Sequence, residues 1–160
     1  MAKVTRGVLT QGTQVWIKHG SEPTLTQMQC ITSLEISRGE PNAIQNTCLE
    51  ETKMQTSVNG LYSEGSGSIT LNVDPENQTH LTLLQLAEDM EEVEIIIGWR
   101  NGTDEPSLSV DEVTLPESRS WTSFLAELST SSPTFEADSL VSQTINIKML
   151  TIDVTKHKTV

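Results

Sequence analysis

The stretch 58–103 constrains this chain more than any other. It begins Val58-Asn59-Gly60-Leu61, passes through a Gly/Ser run and continues into Ser68-Ile69-Thr70-Leu71-Asn72-Val73. Alternation of apolar and polar residues gives a strand with one buried face. Asp74-Pro75 follows. An N-cap aspartate accepts a bond from an otherwise orphaned N–H, and proline at the first helical position lacks only a donor that the helix does not use. These signals predict a helix around 75–91. Leu83, Leu86, Ala87 and Met90 recur at i, i+3, i+4 and i+7, and Leu81 and Leu84 widen the stripe, so these six form the predicted packing face. Val93, Ile95, Ile97 and Trp99 then alternate, and Asn101-Gly102 is the dipeptide that best tolerates the positive φ of a tight hairpin turn. The stretch reads as strand–helix–strand running into a hairpin.

The rest of the chain adds strands. A short one is predicted over 13–18, with Val15 and Ile17 on one face and Trp16 on the other, followed by a turn over 19–26. From 27 to 37 Met28, Cys30, Leu34 and Ile36 alternate inward as one half-buried strand, and 44–51 resumes extended structure after Arg38-Gly39-Glu40-Pro41. Pairing these two about Gly39 would set Leu34 opposite Ile44 and Cys30 opposite Cys48. In a reducing cytoplasm two buried free thiols are the default there. The longest stretch without a periodic pattern is 51–67, and loops of that length in a compact domain are usually functional or disordered. This loop leaves one strand pair and returns to the next, so it would project from one end of a sheet. Residues 104–119 are irregular around a short strand between 108 and 115. A further strand over 120–128 turns Phe124, Ala126 and Leu128 to one side. The last, over 140–154, switches from Ile145, Ile147 and Met149 to Leu150, Ile152 and Val154, which predicts a bulge or bend near 149–150.

The predicted fold is mainly β, with two packed antiparallel sheets in a sandwich or barrel-like arrangement, one flanking α-helix around 75–91 and a long loop around 51–67. At 160 residues the chain is expected to form a single domain, 1–160, with an N-terminal arm 1–12 and a polar C-terminal tail 155–160.

A net charge of −12 argues against gripping nucleic acid, because phosphate affinity comes from Lys and Arg displacing counterions. The acids read either as a solubilising surface or as a wall that repels a passing polyanion. No run of residues is long and apolar enough for a transmembrane helix. No apolar stretch follows Met1, so a cytoplasmic site of synthesis is expected. His19, His80 and His157 lie in a turn, at a helix start and in a tail, without ligand or triad spacing to Cys, Asp or Glu, and are read as solvated. No nucleophile elbow, phosphate-binding glycine motif or zincin helix is present. Adjacent acids such as Glu50-Glu51 and Glu91-Glu92 read as an exposed acidic face. Neither enzyme, metal nor cofactor is predicted.

The set Ile44-Gln45-Asn46-Thr47, Gly60-Leu61, the Gly/Ser strand 67–73, Asp74-Pro75, the leucine-rich helix, the apolar strand, Asn101-Gly102-Thr103, Arg119-Ser120-Trp121 and the closing strand 142–149 resembles the major tail tube proteins of long, non-contractile-tailed bacteriophages. The likeness covers roughly 30–150 and rests on order and spacing. Asn59 stands where a proline often precedes the glycine, and 104–117 looks like an insertion. The resemblance implies two packed sheets with a flanking helix, assembled into hexameric rings that stack into a tube, the inner sheets lining a lumen. It implies a virion protein of the tail through which DNA passes without specific binding, with a tape measure protein, a tail terminator and tail-tip proteins as partners and no membrane. The loop residues Thr52, Lys53, Met54, Gln55, Val58, Asn59, Gly60, Leu61 and Tyr62 are the expected contact to the neighbouring ring. A tube protein of a contractile injection or type VI secretion system shares the fold and is the first alternative. A small β-sandwich ligand-binding module with its site in the 51–67 loop is the second.

Overall fold

The computed structural model describes residues 7–159. Twelve strands and one helix follow in order: β1 (Gln14–His19), β2 (Thr24–Met28), β3 (Ile31–Ser37), β4 (Pro41–Gln45), β5 (Ser57–Tyr62), β6 (Gly65–Asn72), α1 (Gln78–Glu88), β7 (Glu92–Gly98), β8 (Ser107–Ser109), β9 (Glu112–Thr114), β10 (Trp121–Thr130), β11 (Ser142–Met149) and β12 (Val154–Lys156). Eight strands make one antiparallel sheet in the order β2-β1-β7-β10-β11-β6-β3, with β12 on β10, and β4–β5 and β8–β9 are separate two-stranded ribbons.

The sequence pattern explains which face of each strand is inside. Ile69 and Leu71 of β6, Phe124, Ala126 and Leu128 of β10, and Ile145, Ile147 and Met149 of β11 all point to one side, as the period of two requires. Val15 and Ile17 of β1 join the same cluster, although three strands separate β1 from β6 in the sheet, and Ile31, Leu34 and Ile36 of the edge strand β3 pack against it. The sheet is therefore curled until its two halves face each other. This gives the mainly β, layered architecture with a flanking helix, but β2 and β3 do not pair with each other and the barrel stays open.

The predicted strand 27–37 is two strands. Cys30 takes φ 54°, a left-handed conformation that ends β2, and β3 starts on the opposite edge of the sheet. Residues 29 and 30 therefore carry the chain across the open seam. The proposed pairing about Gly39 is also replaced: β3 pairs with β6, with Leu34 opposite Ile69, and β4 pairs with β5, with Ile44 opposite Val58. Cys30 and Cys48 are free, as expected, but both are exposed. The local apolar pattern of 44–51 was satisfied by a nearer partner, hidden inside what had looked like loop 51–67; only 46–56 connects the ribbon, and 57–62 and 65–72 are strands.

The helix starts later than Asp74-Pro75 predicts. Asp74 Oδ1 instead accepts from the N–H of Glu76 at 3.0 Å, an Asx turn, and Asn77 is the N-cap, accepting from the N–H of Thr79. Leu83, Leu86 and Ala87 are buried, Leu84 is partly buried, Leu81 is 40% exposed and Met90 61%. The packing face is thus narrower than predicted, because the shortened helix presents its first turn through His80 rather than Leu81. His80 is buried, not solvated. It accepts from the Asp74 N–H at Nδ1, 3.2 Å, so Nε2 carries the proton and donates to the Gln29 carbonyl at 2.7 Å. One imidazole ties the helix start to the segment that crosses the seam.

Met90 lies past the helix at φ 52°. Its N–H reaches the Ala87 carbonyl at 3.3 Å, and that of Glu91 reaches Leu86 at 3.2 Å, the paired bonds of a Schellman terminus. A residue with a Cβ is strained there and a glycine is not. Met90→Gly is expected to stabilise the fold by about 1 kcal/mol, since the side chain it removes is mostly exposed. Urea denaturation checks this, and a destabilised variant means Met90 contributes more packing than strain.

Asn101-Gly102 is not a tight hairpin turn. Neither residue has positive φ, and Asn101 instead donates to Ser120 Oγ at 2.7 Å and accepts from the Ser120 N–H at 3.0 Å. The segment 99–120 makes an excursion holding the β8–β9 ribbon, with Val110 at φ 55° in its turn, before β10 pairs with β7. Val113 and Leu115 from this excursion cover Trp16, Ile96 and Trp121 on the outer face of the sheet. The C-terminal tail is not free: Thr155 and Lys156 belong to β12, and the Thr159 N–H bonds to the Glu117 carbonyl at 3.0 Å. Of the N-terminal arm, residues 1–6 lie outside the described residues, as does Val160 at the end of the tail.

Candidate assembly surfaces

The β4–β5 ribbon grows directly out of β3 and β6. At its root the Ser63 N–H donates to the Glu40 carbonyl at 2.8 Å and the Glu40 N–H to Ser63 Oγ at 3.1 Å. Gly39 is needed there: a Cβ would lie 1.9 Å from the Ser63 carbonyl oxygen. At the far end the connection is ordered by its own side chains, with the Thr56 N–H on Thr47 Oγ1 at 2.8 Å and the Lys53 N–H on Glu51 Oε1 at 2.9 Å. No residue of the ribbon joins the hydrophobic core. Yet it carries Ile44, Leu49, Met54, Val58, Leu61 and Tyr62 exposed, Leu49 fully and Leu61 at 84%. A lone two-stranded ribbon is marginal in water, and this one exposes large side chains that a monomer gains nothing by exposing.

The structure places the predicted contact residues together on this ribbon. Thr52, Lys53, Met54 and Gln55 lie in the connection, and Val58, Asn59, Gly60, Leu61 and Tyr62 on β5. All are exposed except the half-buried Gly60. Sequence reasoning missed Ile44 and Leu49, whose signal was apolar character in a segment paired with the wrong strand.

It also missed the second apolar surface, beside the ribbon root. β11 and β12 both pair with β10, Met149 facing Ala126 and Val154 facing Ser123. Between these pairs four residues, 150–153, lie opposite two, 124 and 125. The predicted irregularity near 149–150 is this outward loop. It inserts two residues, so it preserves the facing, and Leu150, Ile152 and Val154 stay exposed. Leu150 and Ile152, together with Leu61, Tyr62 and Met149, border a cleft of about 400 Å³.

Arg38 pins this loop. Its Nε donates to Asp153 Oδ1 at 2.8 Å and its Nη2 to the Asp153 carbonyl at 3.0 Å. The side-chain hydrogen bond holds the Asp153 carboxyl below the ordinary carboxylate range and raises the guanidinium further. A carboxylate with a depressed folded pKa stabilises above its unfolded value of about 3.9 and loses that contribution as pH falls through the folded value. The melting temperature of Asp153→Asn is therefore expected to lie below that of the unsubstituted protein at neutral pH, with the gap closing in acid. A gap unchanged across the titration means that the charge contributes nothing.

Two further surfaces remain. β2 and β3 each leave one backbone edge without a strand partner among the described residues, a template for pairing with another chain. The outer face of β3, β6 and β11 is set in rows by the register: Ser33–Thr70–Thr144, Glu35–Ser68–Asn146 and Ser37–Ser66–Lys148. It is open to solvent, whereas the outer face of β1 and β7 lies partly under the 99–120 excursion. No group of three or more His, Cys, Asp or Glu side chains among the described residues is placed to hold a metal ion, and no helix is long and apolar enough to cross a membrane.

Known proteins share this fold. A family model described as phage tail tube, TTP, lambda-like, matches residues 6–159. Structural protein 3 of Pseudomonas phage PAJU2 is 28% identical over 147 residues, covering 89% of each chain. Among solved structures, the SPP1 tail tube superposes with a TM-score of 0.68 at 8% identity, over 94% of this chain and 80% of that one. The sheath-tube complex of the extracellular contractile injection system PVC gives 0.56 at 14% identity, over 96% and 94%. The tail of an empty gene transfer agent particle with C6 symmetry gives 0.55 at 13%, over 89% and 95%. With its family model matched almost from end to end, the chain belongs to the lambda-like phage tail tube proteins, a structural family of the virion and not one of enzymes.

Proposed function

We propose that this tail tube subunit closes into hexameric rings, that the rings stack through the β4–β5 ribbon, and that the resulting tube conducts DNA out of the virion. The observation that carries the reading is the ribbon: it packs on no core of its own subunit yet presents Leu49, Met54 and Leu61 to solvent. Such a surface is stabilised only when another copy covers it. The free edges of β2 and β3 support ring closure, because each is a liability in a monomer and becomes a contact in a closed ring. The subunit is made in the host cytoplasm and meets a tape measure protein inside the tube and terminator and tip proteins at its ends.

Negative-stain microscopy of the concentrated protein tests the reading, with rings or long tubes of six-fold symmetry as the expected result. A monodisperse monomer at every concentration and salt would overturn it. Gene neighbourhood separates the phage tube from the contractile-injection alternative: a sheath gene beside this one would favour the latter.

A further inference from the structure

The root of the ribbon is hollow on one side. We propose that the cleft there seats the 131–141 loop of a copy in the next ring, with Phe135 and Leu140 against Leu61, Tyr62, Leu150 and Ile152. The proposal rests on the tube reading and adds to it the pair of surfaces that meet where one ring ends and the next begins.

Two exposed apolar patches lie at opposite ends of one strand. β11 starts at Ser142, opposite Asn72, and ends at Met149, opposite Gly65. Met149 lines the cleft, together with Leu61, Tyr62, Leu150 and Ile152. The Ser142 end carries the 131–141 loop, held by the Thr134 N–H on the Ser142 carbonyl at 2.8 Å and turned at Asp138, φ 56°. Phe135 is 76% exposed on this loop and Leu140 68%. The chain has two phenylalanines. Phe124 is in the core, whereas Phe135 belongs to neither apolar cluster, so a monomer gains nothing from placing it there. Seven strand steps of about 3.3 Å separate the patches by roughly 23 Å, too far for one subunit to close them on each other.

Stacked rings make heterologous contacts, in which one end of a subunit meets the other end of its neighbour. The ribbon leaves the sheet beside the cleft, so the ring it enters brings its Ser142 end to the cleft. Charge selects the same polarity. The connections at the Ser142 end, 20–23, 73–91 and 131–141, each carry acids and none carries a Lys or Arg. The exposed cations Arg38, Lys53, Arg100, Lys148, Lys156 and Lys158 all lie toward the ribbon end. Two Ser142 ends would set acid against acid, whereas the ribbon end, with charges of both signs, offers those acids cations. The seat itself is balanced, because Arg38 is paired with Asp153 and Lys148 with Glu64. Apolar burial, and not an ion pair to Glu136 or Asp138, therefore holds the loop in it.

Cross-linking tests the pairing. In a background with Cys30 and Cys48 changed to Ser, Ala137→Cys puts a thiol on the loop and Ile152→Cys puts one at the cleft, both at exposed positions, and Phe135 stays in place. Tubes of the double variant, treated with a short bis-maleimide and dissolved in detergent, should give a ladder of linked chains running past six subunits. Dilute monomers should give none. A ladder that stops at six places the contact within a ring, dimers from Ala137→Cys alone pair like ends, and tubes without a ladder leave the patches apart. Each of these overturns the proposal, whereas failure of the Cys-free parent to form any tube overturns the tube reading itself.

A second test needs no cysteine. Phe135→Glu should melt like the unsubstituted protein, since the side chain is exposed, and should need roughly tenfold more protein to form tubes. Adding Ile152→Lys should restore assembly, because the new carboxylate then meets an ammonium across the ring boundary. Normal assembly of Phe135→Glu, or no recovery in the double variant, overturns the seat.

Discussion

Replacing residues 41–62 with Asn-Gly is expected to leave a folded monomer that forms no tubes. The design follows from the ribbon root. Glu40 and Ser63 already face each other as a hydrogen-bonded pair, at 2.8 Å from the Ser63 N–H to the Glu40 carbonyl, and a two-residue Asn-Gly loop closes such a pair with the twist that antiparallel strands require. β3 and β6 keep all their own pairing, from Ile31 with Leu71 to Ser37 with Ser66. No side chain between 41 and 62 enters the core, so the melting temperature should shift by only a few degrees. Polymerisation should fall below detection by sedimentation and by microscopy, because the variant loses Ile44, Leu49, Met54, Val58, Leu61 and Tyr62 at once. The bare deletion of residues 52–62 is a poorer test: it removes β5 and leaves β4 unpaired. Normal tubes from the Asn-Gly variant would mean that rings stack without the ribbon. The substitution Leu49→Asp with Met54→Asp examines the tip alone and should give short tubes or none.

Much of the fold was legible because its signals are local. Alternation in β6, β7, β10 and β11 was visible in sequence, and their inward residues are the ones the core uses. The helix was legible in its stripe but not in its start, since Asp74 can cap a turn as readily as a helix, and only the tertiary bond from the Asp74 N–H to His80 decides between them. Pairing was least legible. Residues 31–37 and 44–51 look like hairpin partners, but β3 and β4 are successive parts of one strand arm and β5 and β6 are successive parts of the other, each pair bending at Gly39 and at Ser63-Glu64. A reading by residue spacing cannot distinguish a break in a strand from a reversal of it.

The assembly surfaces divide in the same way. The proposed contact residues 52–55 and 58–62 were singled out because a long aperiodic stretch has to be explained, and the structure gathers them on one ribbon. Leu150, Ile152 and Val154 were read only as a switch of parity in the closing strand. Hydrophobicity alone cannot tell a core strand from an exposed apolar stripe, and this chain carries both in consecutive residues. The acidic composition left open whether the acids face bulk water or a passing polyanion, because composition carries no information about faces.

Arg119 is where the sequence is least informative and the expected effect on stability largest. It is 1% exposed with no carboxylate bonded to it. Its Nε donates to the Trp99 carbonyl at 2.6 Å, Nη2 to the Gly98 carbonyl at 2.9 Å, and Nη1 to Gln14 Oε1 at 2.7 Å and the Asp104 carbonyl at 3.0 Å. The guanidinium also lies 5.4 Å from the ring centre of Trp16 and 5.1 Å from that of Trp121. One side chain thus fixes the start of the 99–120 excursion to β1, β7 and β10. Burial lowers its pKa, while Asp104 and Glu105 act to raise it, and at neutral pH it stays charged. The fit leaves no spare room: a Cβ on Gly98 would lie 2.7 Å from Arg119 Cζ, and one on Gly102 2.8 Å from Arg119 Cβ. Arg119→Met should cost about 3–5 kcal/mol, because the carbonyls of Gly98, Trp99 and Asp104 lose a buried donor together. Arg119→Lys should recover only part of that, since an ammonium offers three donors without the planar fork and stacks poorly on two indoles. Urea denaturation followed by tryptophan fluorescence reads both effects. A lysine variant as stable as the unsubstituted protein would mean that charge alone holds the excursion in place, and that the fork and the two rings contribute nothing.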